Sequence, residues 1–325
     1  MSDEELGVPP VPSVTAIPVE SAAALRDPAA VSLLAPATAV TPGAAAGSAG
    51  AIRRENLRLL MRSPAFLIGA AILLWWIVCA VFGRAFSPYN PVTGSLLAFN
   101  QPPSAAHWLG TDSLGRDVFS RVIVGSRGIL LVAALSTVLG TVLGICIGLV
   151  QGYFLGPVDS FVGRLVEAVL ALPVVIVVFL FAVALGSSYP ILIIVIGLVF
   201  GLLISRTVRT AVLQERGLDY IAAARLRDES DLHIMFVEIL PNVMGPILVE
   251  FTVRLGYAIF TVATLSFLGF GIQPPTPDWG ADIANNFQYL AAGYWWQVLF
   301  PALAIASLVV AINLIADAIE AVLIQ

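Results

Sequence analysis

The chain contains no lysine, and charged residues make up only 11% of its 325 residues. Every basic residue is therefore an arginine, so the phosphate-binding pattern GxxxxGK[ST] is excluded, and with it an ATPase site of that type. The two histidines, His107 and His233, form no HExxH pattern and fall in predicted loops, where we expect solvated side chains. A metalloenzyme or intramembrane protease is disfavoured, and we expect no catalytic residue, metal or cofactor in this chain.

Cysteine is scarce as well. Cys79 and Cys146 both fall within apolar runs, too far apart to suggest a disulfide or a metal site. We expect both to be small core residues.

Hydrophobic residues, by contrast, make up 59% of the chain, far more than in a water-soluble domain. Several runs approach the roughly 17 to 25 apolar residues that cross about 30 Å of hydrocarbon. They lack the alternation of barrel strands, so we predict an all-α polytopic membrane protein. We place about six spans near residues 65–83, 128–150, 165–186, 189–205, 246–267 and 296–316.

The N-terminal residues 1–50 are rich in Ala, Pro and Val, which predicts a disordered tail ahead of one transmembrane domain over residues 51–325. An acidic start argues against a cleaved signal peptide. Four arginines precede the first span and place the N-terminus in the cytoplasm: Arg53, Arg54, Arg58 and Arg62. An even number of spans then puts both termini inside. Four arginines of the predicted outer segment, residues 84–127, conflict with this orientation: Arg84, Arg116, Arg121 and Arg127.

Small residues repeat every four positions along two spans. The second span carries Ser136, Gly140, Gly144 and Gly148, and the fourth carries Gly197, Gly201 and Ser205. Such faces allow close helix approach, either within this chain or against another subunit. In the third span, Pro173 predicts a bend.

Glu250 and Arg254 stand one helical turn apart in the fifth span. Each would cost roughly 2.5 to 3.5 kcal/mol alone at the bilayer centre, so neither should face lipid. A structural ion pair and a polar position lining a translocation path are both open.

The inner loop over residues 206–242 is a charged stretch between two spans, and its charges nearly balance. This balance argues against binding to nucleic acid or anionic lipid. The pattern predicts a short helix from Asp219 with a smooth patch at Ala222, Ala223 and Ala224, a turn near residues 228–230, and a second helix over about 232–240. Such an exposed helix favours docking of another protein.

The outer parts of the chain predict an interfacial helix that begins near Val118 and leads into the second span. Residues 268–295 form a second outer loop, extended by prolines. Its aromatic residues suit the membrane interface: Trp279, Tyr289, Tyr294, Trp295 and Trp296.

The segment "DYIAAARLRDESDLHIMFVEILPN" resembles a cytoplasmic loop of ABC importer permeases, in which Glu-Ala-Ala is followed by a glycine and then by Leu-Pro. Further segments resemble the C-type permease of dipeptide and oligopeptide importers: "HWLGTDSLGRDVFSRVIVGSR", "GYFLGPVDS", "VLALPVVIV" and "LSFLGFGIQPPTPDWG". The resemblance covers about residue 53 to the C-terminus.

The resemblance implies a type I ABC importer permease fold, in which this loop forms a coupling helix inserted into a cytoplasmic ATPase subunit. It implies two ATPases that bind ATP and Mg, a homologous second permease and an extracytoplasmic substrate-binding protein. Matching positions at the ATPase contact are Asp219, Tyr220, Ala222, Ala223, Ala224, Arg225 and Asp228, with Leu240 and Pro241 closing the motif. Candidates for an outer gate or binding-protein contact are Gln273, Pro274, Pro275 and Trp279.

Three positions depart from the family pattern. Ala222 replaces the glutamate, Asp228 replaces the glycine, and Val262 stands where related permeases usually carry a glutamate. A charge anchor and a flexible turn are thus expected to be missing. Either Asp219 or Arg225 takes over the coupling, the ATPase partner has changed to match, or transport is weakened.

These observations predict a bacterial inner-membrane permease that imports short peptides by ATP-driven alternating access. Members of the same family carry nickel chelates, glutathione, haem or sugars, which remain alternative cargoes. An ion-coupled secondary transporter is the alternative of another class. It would need several intramembrane carboxylates or an inverted repeat, and the sequence offers chiefly Glu250, with Glu167 near a span end.

Overall fold

The structure is a computed structural model that describes residues 55–95 and 97–323. The tail predicted over residues 1–50 lies outside the described residues. Within those ranges the chain is helical, and its strand-like pairing is a single isolated bridge between Thr111 and Asp117. The prediction of an all-α membrane protein is confirmed.

Nine helices organise the described part of the chain: α1 (Pro64–Phe86), α2 (Val118–Phe154), α3 (Gly156–Leu170), α4 (Val174–Leu185), α5 (Tyr189–Arg216), α6 (Asp219–Leu226), α7 (Met244–Phe267), α8 (Trp279–Asn286) and α9 (Trp296–Leu323). Residues 55–60 are also helical. Between α6 and α7 the chain runs through Asp231–His233, a π-helix over Ile234–Ile239 and Leu240–Asn242. A 3-10 helix, Phe287–Ala292, follows α8.

Five of these helices, α1, α2, α5, α7 and α9, are each long and apolar enough to cross a membrane. The helices α3 and α4 are apolar enough as a pair, but they meet at an angle of 85°. The bend falls between the end of α3 at Leu170 and the start of α4 at Val174, directly before which Pro173 lies, as the sequence predicted. The broken span begins at Gly156, well before the expected start at residue 165.

The direction of α5 shows whether the bent pair α3 and α4 crosses the membrane once or returns to the side on which it began. Gly140 lies against Phe200, Gly144 against Ile204, and Gly148 against Val208, so residue numbers increase together along both helices. Thus α2 and α5 run parallel, and the chain between them must return to the end where α2 began. The pair α3 and α4 makes that return and therefore counts as one crossing. The described residues 55–95 and 97–323 therefore make six crossings, as predicted.

The same contacts show what the small residues do. A Cβ added at Gly144 would lie 2.6 Å from the Cβ of Ile204 and 3.0 Å from the carbonyl oxygen of Gly201. Real Cβ atoms do not approach so closely, so the two helix backbones meet only because glycines line the seam. Of the two open alternatives, the small faces are used for packing within this chain.

The helix α2 is longer than the predicted second span. At 1.5 Å per residue, its 37 residues extend about 55 Å, well beyond the hydrocarbon thickness. The predicted interfacial helix from Val118 is continuous with the span. Asp117 caps it by accepting a hydrogen bond from the Ser120 backbone N–H.

The two cysteines differ in environment. Cys79 of α1 is fully buried, as expected for a core residue, whereas Cys146 of α2 is exposed. The expectation for Cys146 was wrong because the apolar sequence around it covers the outward face of α2 as well as its packed face.

Candidate functional site

The connection between α5 and α7 presents α6 at its outer surface. Ile221 and Ala224 are fully buried against the rest of the chain, while Ala222 and Ala223 are exposed. Leu226 is 88% exposed at the helix end. The prediction of one smooth patch over all three alanines was wrong, since successive helical residues are rotated by about 100° and Ala224 faces inward. The outward side nevertheless carries the small Ala222 and Ala223 and the apolar Leu226, with the charged Asp219 and Arg225 also exposed.

Tyr220 fixes α6 to the helices on either side. Its hydroxyl donates to Glu215 at the end of α5, at 2.6 Å, and accepts from the Asn242 side-chain amide shortly before α7, at 3.1 Å. Burial and the hydrogen bond to Glu215 raise the pKa of Tyr220 to about 12. The tyrosine therefore remains a protonated donor at any physiological pH.

Tyr153, in the last turn of α2, provides a second anchor. Its hydroxyl donates to Asp231 at 2.6 Å, and the Arg225 guanidinium lies 5.3 Å from its ring centre. The short helix is thus joined by side chains to the loop-facing ends of α2 and α5 and to the approach to α7. A displacement of α6 would pull on these helices together.

Asp228, at the position of the family's glycine, adopts the left-handed backbone conformation with φ of 56°. The Glu229 N–H donates to the Ala224 carbonyl and the Asp228 N–H to that of Arg225, which is the Schellman pattern for ending a helix. The turn expected to be missing is therefore present. Aspartate tolerates this conformation better than most residues, although glycine adopts it without strain.

Replacing Asp228 with glycine should consequently stabilise the loop. We expect Asp228→Gly to raise the free energy of unfolding by about 0.5 to 1 kcal/mol, and Asp228→Val to lower it. Thermal unfolding of the purified permease in lipid nanodiscs measures both. A glycine variant less stable than wild type would show that the aspartate side chain has a role beyond the turn.

Glu229, His233 and Glu238 bring three ligand-type atoms within 4.8 Å of one another in the same connection. Arg227 binds both carboxylates of the group, since its Nε lies 2.7 Å from Glu229 and its terminal nitrogen 3.7 Å from Glu238. An ion pair therefore explains this group. His233 is about half exposed, as expected of a solvated histidine.

Glu250 and Arg254 of α7 form the expected ion pair, with Arg254 Nε 2.6 Å from Glu250 Oε1. Their side chains are 16% and 20% exposed. Arg254 also borders an open cavity of about 300 Å³ between α5 and α7, whose other lining residues are Leu203, Arg206, Thr207 and Thr210. The two residues therefore neutralise each other on one helix. Arg254 also lies beside an open cavity.

At the opposite end of the spans, buried ion pairs lie within the segment 84–127 and between it and the segment 268–295. Arg121 binds Asp282, with its Nε 2.9 Å from one carboxylate oxygen, and Arg116 Nε lies 2.6 Å from Asp112. All four side chains are almost fully buried. Two of the arginines that conflicted with the predicted orientation are therefore neutralised structural residues.

His107 also belongs to this buried region. Its Nδ1 lies 2.9 Å from Asp117, its ring packs on Tyr89, and its side chain is 16% exposed. The expectation of a solvated side chain was wrong for this histidine because Asp117 is a helix-capping carboxylate that the fold buries.

The outer-loop candidates divide into two groups. Gln273 is exposed and donates to Ser187 and to nearby carbonyl groups, and Pro274 and Pro275 are exposed beside it. Trp279 is 1% exposed, donates to the Val122 carbonyl at 2.8 Å and packs on Trp76. The expected interfacial position of Trp279 was wrong, and its side chain is not available to a binding protein.

Asp278 was not recognised from the sequence, although an aspartate just before a helix is a capping signal. It caps α8 through the Ala281 N–H and accepts from the Ser266 hydroxyl. Burial raises its pKa from 3.8 to about 6, even though these hydrogen bonds favour the charged form. The carboxyl group is therefore partly protonated in mildly acidic solution.

This pKa predicts a pH-dependent stability. A raised pKa in the folded state stabilises the protonated fold, so the contribution is present below about pH 4 and is lost as the pH rises through about 6. Asp278→Asn should remove this slope and raise stability near pH 7 by about 3 kcal/mol. Melting midpoints measured from pH 4 to 8 test it, with the exposed Asp219→Asn as control. An unchanged slope in Asp278→Asn would contradict the assignment.

Comparison with known proteins gives the family. Residues 140–325 match the family described as binding-protein-dependent transport system inner membrane component, and residues 53–103 match the N-terminal TM domain of oligopeptide transport permease C. The first match covers more than half of the chain.

Three relatives are named for peptide transport. The dipeptide transport system permease protein of Bacillus subtilis is 36% identical, over 82% of this chain and 83% of its own. The di/tripeptide transport system permease protein of Pseudomonas aeruginosa is 37% identical, over 78% and 85%. The oligopeptide transport system permease protein of Bacillus subtilis is 32% identical, over 86% and 94%.

These matches cover more than three quarters of this chain and more than four fifths of each relative. The chain belongs to the binding-protein-dependent transport system inner membrane component family, among the C-type permeases of dipeptide and oligopeptide importers.

Proposed function

We propose that this chain is the permease subunit of an ATP-driven importer that moves short peptides into the cytoplasm by alternating access. Its partners are a homologous second permease, two ATPase subunits that bind ATP and Mg, and an extracytoplasmic binding protein. The complex lies in a bacterial inner membrane, with both termini of this chain in the cytoplasm. The names of the relatives support the peptide cargo.

The observation that carries the proposal is the exposure of two leucines, one just before α6 and one at its last residue. Leu226 is 88% exposed and Leu218, just before the helix, is 48% exposed, while Ile221 on the opposite side is fully buried. Leu218 and Leu226 lie four residues on either side of the exposed Ala222, and an apolar strip of this kind, unlike a single exposed leucine, favours a protein contact. In this proposal α6 is the coupling helix, and the apolar end inserts into a cleft of the ATPase.

The anchors of α6 supply the mechanical connection. Closure of the two ATPases on ATP moves the helix, and the Tyr220 and Tyr153 hydrogen bonds pass that movement to α5, α7 and α2. The bundle then changes which of its ends is open. ATP hydrolysis takes place in the partner subunits, and this chain contributes no catalytic group.

Leu226→Asp tests the proposal. A charge at the centre of an apolar contact should lower ATPase association and binding-protein-stimulated ATP hydrolysis about tenfold or more, because the aspartate must lose its hydration on docking. The fold should be unaffected, since the side chain makes few contacts in the chain itself. Co-purification of the subunits and hydrolysis in nanodiscs are the measurements.

Leu97→Asp is the matched control, since Leu97 is 91% exposed at the opposite end of the spans. It should leave ATPase association at the wild-type level. Equal loss in both variants, or no loss in either, would contradict the assignment of α6 as the ATPase contact.

A further inference from the structure

The cavity between α5 and α7 contains a charge that the fold does not neutralise. We call it the arginine cavity, and its lining residues are Leu203, Arg206, Thr207, Thr210 and Arg254. Arg254 is paired with Glu250. Arg206 is exposed, and among residues 55–95 and 97–323 it has no carboxylate within ion-pair distance. The cavity therefore carries about one net positive charge.

Not every arginine on this side of the molecule lacks a carboxylate partner, as Arg209 on the same helix shows. Arg209 binds Asp159 of α3 through two contacts of 2.6 Å. Its charge is neutralised within the chain. Arg206, Thr207 and Thr210 lie on another side of α5, where helical spacing places them on one face.

The positions of Arg206 and Arg254 along their helices determine what surrounds their side chains. Arg206 lies about ten residues from the Arg216 end of α5, and Arg254 about ten residues into α7. At 1.5 Å per residue, each is about 15 Å from the connection that carries α6. Arg206 follows directly after the apolar stretch 189–205 of α5, so it lies at the inner end of that span, where its exposed side chain faces water or a polar solute on the open side of the cavity.

We propose that the arginine cavity binds a carboxylate of the transported solute during its passage, an inference that rests on the peptide-importer function. One carboxylate neutralises the excess charge, and the planar Arg206 guanidinium can bind both of its oxygens. Thr207 and Thr210 add hydroxyl donors. The volume of about 300 Å³ is at the lower end of the range for small-molecule sites. Arg254 is held beside the cavity by Glu250 and by the Tyr257 ring, 5.6 Å away.

A cysteine reporter tests the charge without requiring transport. Thr210→Cys is introduced after replacing the exposed Cys146 with alanine, and the complete importer is placed in nanodiscs. Labelling rates are measured with a sulfonate-bearing and a trimethylammonium-bearing methanethiosulfonate, each divided by its rate with a small free thiol. We expect the anionic reagent to be favoured about tenfold. Arg206→Gln should abolish this preference, while Arg164→Gln, which removes an exposed arginine of α3, should preserve it.

Protection experiments identify the ligand. Dialanine should slow labelling of the reporter several-fold, and dialanine amide should not. An aspartyl-alanine amide, which keeps only a side-chain carboxylate, shows whether the terminal carboxylate is required or any carboxylate suffices.

Three outcomes would overturn the proposal. These are an equal rate for both reagents, a preference that survives Arg206→Gln, and equal protection by dialanine and its amide. A reporter labelled in the isolated chain and silent in the complex would also overturn it, because the cavity would then be filled by the partner permease. Uptake of labelled dialanine by the same complex is measured separately, so failure of the peptide-importer function is distinguished from failure of this site.

Discussion

Gly144→Leu should prevent the chain from folding into a monodisperse permease. Even the Cβ of the new side chain would lie 2.6 Å from Ile204, and the carbonyl oxygen of Gly201 blocks a sideways shift. We expect Gly144→Ala alone to lower the free energy of unfolding by about 2 to 3 kcal/mol. The leucine variant, which adds three further carbons, should give mainly aggregated protein on size-exclusion chromatography.

Gly163→Ala is the control for this substitution. Gly163 lies within α3, and a Cβ there would meet nothing within 4 Å. This variant should be at least as stable as wild type because alanine favours a helix over glycine. A Gly144→Leu variant that eluted and melted like wild type would show that α2 and α5 do not pack at this distance.

Asp282→Ala should be the most damaging change in the outer part of the molecule. It would leave the buried Arg121 guanidinium without its carboxylate, and removing one partner of a buried ion pair typically costs about 3 to 5 kcal/mol. Because the pair joins α2 to α8, the loss should also loosen the contact between the two outer segments. Thermal unfolding and limited proteolysis of the outer segments measure the two effects.

Two further variants distinguish the loss of the whole Arg121–Asp282 ion pair from the loss of one partner alone. The double variant Arg121→Met with Asp282→Leu should be less damaged than Asp282→Ala, since no charge is left buried and unpaired. Glu229→Ala, which breaks the more exposed contact with Arg227, should cost only about 1 kcal/mol or less. A double variant as unstable as the single one would show that the ion pair itself contributes to stability.

The features that could be predicted from the sequence are those set by neighbouring residues. Apolar runs gave the spans, Pro173 gave the bend, and the change of composition after Arg216 gave α6. Each of these features follows from residues within one or two helical turns. The spacing of small residues also identified both faces of the seam but could not say that they pack on each other.

The missed features depend on residues far apart in the chain. Arg121 and Asp282 are separated by 161 positions, and Tyr153 and Asp231 by 78. No spacing rule connects such pairs. Burial of Trp279 and His107 likewise follows from the way the two outer segments fold together, and the cavity beside Arg254 exists only because α5 and α7 lie side by side.

The three departures from the family pattern have different structural meanings. Asp228 keeps the backbone conformation that its glycine counterpart would adopt. Val262 is fully buried, so a glutamate there would face the interior of this chain. Ala222 is exposed on α6, where loss of the glutamate leaves a smaller and less polar docking surface. The proposed contact therefore depends more on Leu226 than on a charge at position 222.

The most direct measurement is uptake of a labelled dipeptide into proteoliposomes that contain this chain, the second permease, both ATPases and the binding protein. The energy source is either ATP on the ATPase side or an imposed proton or sodium gradient. Our account predicts uptake that requires ATP hydrolysis and the binding protein, does not respond to the gradients and is lost in Leu226→Asp. Gradient-driven uptake without ATP would contradict it and would support an ion-coupled transporter.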